Sequence, residues 1–196
     1  MTPGWTEVWA AWRDAHDVRG VSESSWYEFV ERVAETLDIG PGTRVFDVGC
    51  GSGAFLYPFF ENGYEAGGLD RSRALVEMAR HTMPGGTWLV GEPSDLDPGQ
   101  PWDVVTSCGL FESLSDLDHA RGVLARMAAK ALHAVAVLDV PDIETDAPPR
   151  AGHLCYDRSW MLHALAEIGA SAVQVEDHRI DGDQRPGSRF NVYVRV

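Results

Sequence analysis

The sequence predicts an α/β fold. The expected core is a mostly parallel, seven-stranded sheet with an antiparallel C-terminal strand, helices on both faces and a helical cap at the N-terminus. Three observations carry this. From residue 44 onward, short β-branched runs alternate with helical patterns, the mark of a parallel sheet covered on both sides. The first run ends in the glycine-rich turn Gly49-Cys50-Gly51-Ser52-Gly53. The last two runs are joined only by residues 177–188, and a connection this short favours an antiparallel final pair.

The elements follow in chain order. Trp5, Trp9, Trp12 and His16 recur at helical spacing and form one aromatic stripe, which Gly20 interrupts. Ser25-Trp26-Tyr27-Glu28 fits a capping box, and Trp26, Val30, Val33 and Leu37 continue as one apolar face. Gly40-Pro41-Gly42 ends this helical cap, so residues 1–40 are read as a lid and residues 41–196 as the main domain. Residues 45–48 form the first strand, and a helix is expected from the glycine turn through Phe60. Strands at 64–69, 88–90, 103–107 and 131–138 follow, with helices at 71–81 and from Ser115 to about Lys130. Asp157 suits the N-cap of a further helix that stops at Gly169. A sixth strand spans 172–176. Phe190, Val192, Val194 and Val196 alternate with Asn191, Tyr193 and Arg195, which predicts a seventh strand buried on one face.

Composition narrows the class of protein. The 196 residues are 44% hydrophobic and 23% charged, ordinary for a globular domain. With 16 basic and 30 acidic residues the net charge is −14, a field that repels phosphate backbones, so no nucleic-acid partner is expected. Cys50, Cys108 and Cys155 are too few and too irregular for a disulfide framework or a zinc site, which suggests a reducing, cytoplasmic setting. The first residues show neither a basic n-region nor an apolar h-region, so no signal peptide is expected. The most apolar run, residues 131–140, is half the length that spans a bilayer, so no membrane partner is expected either.

A strand, a glycine turn and a helix make a ligand cradle, because glycine lets backbone approach a ligand closely and helix N-termini offer free N–H groups. Gly49-x-Gly51-x-x-Ala54 satisfies a dinucleotide fingerprint, and Asp70 ends the second strand about 20 residues on, where ribose hydroxyls are held. These features suit a nicotinamide-dependent oxidoreductase or another adenosine ligand equally. No substrate domain follows and no Tyr-x-x-x-Lys pair exists, which disfavours the oxidoreductase. A non-catalytic module using the same fold is the third alternative.

The surrounding residues discriminate further. Val45-Phe46-Asp47-Val48-Gly49-Cys50-Gly51-Ser52-Gly53 resembles the first signature of class I S-adenosylmethionine-dependent methyltransferases, whose fold is Rossmann-like. Gly68-Leu69-Asp70-Arg71-Ser72 resembles their second signature. Gly91-Glu92-Pro93-Ser94-Asp95-Leu96 is similar to the segment that lines the adenine, and 103–111 to the fourth-strand signature. The resemblance runs from Gly40 to Val196. It implies S-adenosyl-L-methionine as cofactor. It also implies that Asp47 helps place the cofactor's ammonium, that Gly49, Cys50 and Gly51 allow close approach, and that Asp70, beside Arg71, accepts the ribose hydroxyls. Asp95 or Glu92 would accept from the adenine amino group, and Cys108 and Gly109 would touch the cofactor through their backbone. Catechol-type members place a metal-binding aspartate at the end of the fourth strand and an Asp-Asn pair after the fifth; neither stands here, so no metal is expected.

The acceptor is expected to be a small molecule, methylated on oxygen or nitrogen. Trp12, His16, Trp26 and Tyr27 on one side and the segment 141–156, with Pro148-Pro149, on the other are candidates to enclose it; long loops in compact domains usually serve binding. Tyr27 and Trp26 are also candidates to cap the cofactor. His153, Tyr156 and His16 are the candidate catalytic groups, histidine first because its charge changes near neutral pH. Glu112 is a weaker candidate on the acceptor side. Cys108 has no histidine partner by spacing and is not expected to act as a nucleophile. The N-terminal aromatic stripe also suits a homodimer contact.

Overall fold

In a computed structural model, residues 4–144, 152–185 and 187–196 are described. Among them seven strands form one sheet in the order β3-β2-β1-β4-β5-β7-β6. They are β1 (Arg44–Val48), β2 (Glu65–Asp70), β3 (Thr87–Val90), β4 (Trp102–Cys108), β5 (Ala131–Pro141), β6 (Ala172–Asp177) and β7 (Arg189–Arg195). Only β7 runs antiparallel to its neighbours, as the short β6–β7 connection requires. The order reverses between β1 and β4, which opens a crevice beyond their carboxyl ends.

The helices are α1 (Trp5–His16), α2 (Glu23–Leu37), α3 (Tyr57–Glu61), α4 (Arg73–Thr82), α5 (Leu117–Lys130) and α6 (Arg158–Glu167). Each sheet face buries its own apolar cluster. Val45, Val104 and Ala136 pack with α1, α2 and α4, while Phe46, Val105 and Val137 pack with α5 and α6. Alternation along the strands divides the two clusters. The N-terminal helices are continuous with the first cluster: Val8, Trp9, Trp26 and Val33 are fully or almost fully buried there. Two buried hydrogen bonds tie them to the glycine turn, from Ser52 Oγ to the Val8 carbonyl (2.9 Å) and from Trp26 Nε1 to the Ala54 carbonyl (3.0 Å).

Several local expectations change. Helix α2 starts earlier than the Ser25 capping box predicts, because Ser22 is its N-cap and accepts from the Ser25 amide. Asp116, not Ser115, caps α5, and α4 begins at Arg73 behind the Ser72 cap. The helix expected directly after the glycine turn is displaced. Gly51 and Gly53 hold positive φ (51° and 85°), residues 50–56 form successive turns, and α3 begins only at Tyr57. The cradle is therefore built from turn amides rather than from a helix terminus. Strand β7 is buried on both faces, not one. Tyr193 joins the cluster that holds α1 and α2, while Phe190, Val192 and Val194 join the one that holds α5 and α6, and Asn191 is covered too. The segment 141–156 is partly tied down: β5 extends to Pro141, and Asp142 pairs with Tyr156 in an isolated bridge. Pro148-Pro149 lies outside the described residues. No helix among the described residues is long and apolar enough to cross a membrane.

Candidate active site

A cleft of about 500 Å³ opens at the carboxyl ends of β1, β2 and β4, a volume that suits a cofactor-sized ligand. Its floor is the glycine turn, pinned to β2 because the amides of Gly49 and Cys50 both donate to the Leu69 carbonyl (2.7 and 3.1 Å). Asp70 closes β2 and braces this turn. One carboxylate oxygen accepts from the Gly51 amide at 2.9 Å and the other from the Ser72 amide at 2.8 Å. A carboxylate has about four lone-pair sites, so roughly two remain for hydroxyl groups in the cleft. Arg71 and Glu92 line the same wall.

Asp47 sits below the cleft and does not line it. It is 2% exposed, and its carboxylate accepts from Thr106 Oγ1 at 2.7 Å. Desolvation pushes its pKa up to about 7, with a smaller push from Asp70 and an opposing pull from the Thr106 bond. Cys50 is packed beside Gly68, while Cys108 reaches the cleft wall; burial pushes both thiols well above their ordinary range, so neither is poised as a thiolate.

The opposite end of the cleft is formed by Gly109, His16 and Trp12. Gly109 holds φ +77°, and a Cβ added there would lie 2.6 Å from His16 Nε2. Any larger residue would displace the imidazole. His16 Nδ1 lies 3.0 Å from the Trp12 carbonyl. A carbonyl only accepts, so Nδ1 carries the hydrogen and the neutral ring keeps its Nε2 lone pair beside Gly109. The ring stacks on Trp12 at 4.9 Å between centroids.

Glu112 is nearly buried and lines the cleft; its Oε2 accepts from Arg189 Nη2 at 2.7 Å. His153 Nδ1 lies 3.5 Å from the same oxygen, so His153 stands against Glu112 rather than in the wall itself. Arg189 also bonds Asp139, which Arg185 grips through both guanidinium ends (2.8 and 2.9 Å). Asp139 is 1% exposed and sits at φ +60° where β5 slips register against β7. Burial alone would raise its carboxyl, but Arg185, His178 and Arg189 outweigh that and hold it well below the usual carboxylate range.

The structure thus gathers Gly49, Gly51, Asp70, Arg71, Glu92, Cys108, Gly109 and His16 around one cleft. Other expected residues go elsewhere. Tyr27 faces a different groove, between α2 and α3, where its hydroxyl donates to Glu61 at 2.5 Å; burial and that bond push its phenol up. Trp26 is wholly buried. Tyr156 is wholly buried too. Its hydroxyl donates to the Phe111 carbonyl at 2.9 Å, and burial raises its phenol, so it braces the turn after β4 instead of facing a ligand. Asp95 caps its own turn by accepting from the Glu92 amide at 3.0 Å and does not line the cleft. Sequence reasoning missed the Asp139–Arg185–Arg189 cluster, whose one signal was an aspartate inside the most apolar run. It also missed Leu114, Ser115 and His119, which line the cleft from the start of α5.

Comparison with known proteins agrees with this architecture. A ubiquinone biosynthesis O-methyltransferase from Rhodopseudomonas palustris (strain BisB18) is 28% identical over 151 residues, 73% of this chain and 51% of that protein. The chain therefore spans about half the length of the curated relative it matches. Magnesium protoporphyrin IX methyltransferase from Synechocystis PCC 6803, solved with bound SAH, superposes with a TM-score of 0.68 at 18% identity, covering 96% of this chain and 94% of that one. An amino pentose methyltransferase from Micromonospora echinaspora, solved with bound SAM, gives a TM-score of 0.67 at 20% identity, covering 94% of this chain and 96% of that one. The family model described as a methyltransferase domain matches residues 15–176, and the chain belongs to that family.

Proposed function

We propose that this chain transfers a methyl group from S-adenosyl-L-methionine to an oxygen or nitrogen of a small-molecule acceptor. The observation that carries this reading is Asp70. Its carboxylate braces the glycine turn with two backbone bonds and keeps its remaining lone pairs for a ribose. The cleft fits the cofactor on two further counts: its volume of about 500 Å³ and the room that Gly109 leaves at the end of β4. The similar proteins include an O-methyltransferase and an amino pentose methyltransferase, which supports both kinds of acceptor atom.

The bound cofactor supplies a sulfonium-activated methyl carbon. The chain's own residues supply binding, alignment and proton removal. Asp70 holds the ribose hydroxyls, and Gly49 and Gly51 admit the backbone-close portion. Asp47, when ionised, favours the ammonium from below. Trp12 and Gly109 bound the space next to the reacting end and exclude water, and alignment there lowers the barrier by several kcal/mol. His16 is the base. Its Nδ1 is occupied by the Trp12 carbonyl, so Nε2 takes the acceptor's proton. His153 reaches the site only through Glu112, which Arg189 already neutralises, and acts on the acceptor wall rather than on the proton.

The test is a methyl-donor consumption assay across phenols, catechols and amino sugars. The reading expects turnover with at least one class and its loss in His16→Ala. Turnover unchanged in His16→Ala rejects His16 as the base. No consumption across the panel, in protein that binds S-adenosylhomocysteine, removes these acceptor classes.

A further inference from the structure

We propose that a backbone contact between Gly20 and Gly182 positions the His16 imidazole against Gly109, and its catalytic meaning rests on the role given to His16 above. Gly20 lies in the turn between α1 and α2, and Gly182 in the turn between β6 and β7. A Cβ on Gly20 would stand 2.5 Å from the Gly182 carbonyl oxygen, and a Cβ on Gly182 would stand 2.2 Å from that of Gly20. Both obstacles are backbone and cannot swing aside, so a side chain at either position must push the two segments apart. None of residues 178–185 lines the cleft, so this connection acts on the site only through what it touches.

Little slack separates Gly20 from His16. His16 ends α1, and the amides of Asp17 and Val18 both donate to the Arg13 carbonyl. The Val21 amide then donates to the Val18 carbonyl at 3.0 Å, and both valines are buried. The facing segment is held as firmly. Arg32 of α2 donates to the Arg179 carbonyl at 2.8 Å, Ile180 is buried in the first cluster, and the Asp183 amide donates to the Ile180 carbonyl. Asp183 accepts from the Arg185 amide at 3.0 Å, and Arg185 runs on to Asp139. Asp139 Oδ2 lies 3.5 Å from the point where a Gly109 Cβ would stand, the point that His16 Nε2 approaches to 2.6 Å. The links close into a ring: His16, Gly20, Gly182, Arg185, Asp139, Gly109 and back to His16. Opening the ring at the glycine contact leaves the imidazole located from the α1 side alone. Misplacing a catalytic group by about 1 Å can cost about 10²-fold in rate.

The experiment is proton–nitrogen correlation spectroscopy of protein carrying isotope-labelled histidine. Of the seven histidines, His16 is the one whose signals vanish in His16→Ala. Wild type is expected to show one protonated and one bare nitrogen, the tautomer that the Trp12 carbonyl selects. Gly20→Ala and Gly182→Ala should lose that pattern, while S-adenosylhomocysteine affinity stays within a factor of a few. Gly182 holds φ +87°, so Gly85→Ala, at φ +94° with open space around it, measures backbone strain alone and should leave His16 unchanged. Gly20→Ala brings the collision without that strain and decides the matter if Gly182→Ala does not fold. With the phenol, catechol or amino sugar that turns over, Gly20→Ala should cost about 10²-fold, and little when His16→Ala is already present. An unchanged His16 pattern in both variants, or an equal cost with and without His16, overturns the inference and leaves the proposed function standing. Failure of wild type to bind S-adenosylhomocysteine overturns the proposed function, while the spectra, which need no ligand, still decide the positioning.

Discussion

The two ends of the cleft are built in different ways. The Asp70 end is local: the glycine turn and the end of β2 lie within about two dozen residues, and backbone bonds assemble them. The His16 end is assembled from remote pieces. His16 comes from α1, Gly109 from the end of β4, and Arg189, from β7, reaches Glu112 across 77 positions of sequence. One end is shaped by glycine conformations and amides; the other is held by packed rings and a buried charge cluster. The contrast points to a division of labour, with a proposed cofactor grip built from backbone amides around one carboxylate, Asp70, and a proposed acceptor wall assembled from many side chains.

The sharpest way to break this contrast is His16→Ala. The expected loss in turnover is about 10²–10⁴-fold, while S-adenosylhomocysteine affinity stays within a factor of a few. A matching loss of affinity would show that the two ends are not separable.

The charge cluster comes next. Asp139→Ala leaves Arg185 and Arg189 without their buried partner, and breaking a buried pair from one side costs about 3–5 kcal/mol. Urea denaturation should record a loss of that size, far more than Asp118→Ala, whose exposed contact to Arg121 spans 3.8 Å. Equal small losses would mean that the cluster is solvated and the acceptor wall is not rigid.

Asp47 gives a pH signature. Its carboxyl moves from an ordinary 3.8 when unfolded to about 7 when folded. The folded state therefore binds this proton more tightly, so the contribution of Asp47 to stability falls as pH rises from about 4 to about 7 and levels off outside that window. Asp47→Asn should flatten that slope in denaturation curves measured across the range. A stability difference between wild type and Asp47→Asn that rises with pH across that window would place an ionised Asp47 in the fold.

The smallest effect sharpens the distinction between brace and base. Tyr156→Phe removes the hydrogen bond to the Phe111 carbonyl and should cost about 1 kcal/mol of stability. Turnover per folded molecule should hardly change, and a collapse in turnover would return Tyr156 to the catalytic group.

What the sequence disclosed follows the same division. Strand alternation, the glycine turn and Asp70 were legible because their signals are local: residue type, spacing and period. The displaced helix after the turn was not, because Gly53 serves packing as well as turning. A Cβ there would meet the Met83 side chain of the α4 end at 2.2 Å, a contact that no local pattern announces. The double burial of β7 was hidden for a related reason. Asn191 and Tyr193 read as a solvated face, yet they are satisfied inside, Asn191 by accepting from the Asp139 amide and Tyr193 by donating to Glu176. Tyr27 and Tyr156 looked like site aromatics, and only tertiary packing shows their hydroxyls engaged elsewhere. His16 was legible as part of a stripe, but its meeting with Gly109 was not.

The most direct measurement is calorimetric titration of S-adenosylhomocysteine into wild type and Asp70→Ala, with NADH as the competing ligand. The account predicts micromolar binding to wild type, a loss of at least about tenfold in Asp70→Ala from removed hydroxyl bonds, and no measurable NADH binding. Equal affinity in the two proteins, or NADH binding more tightly than the homocysteine ligand, would contradict it.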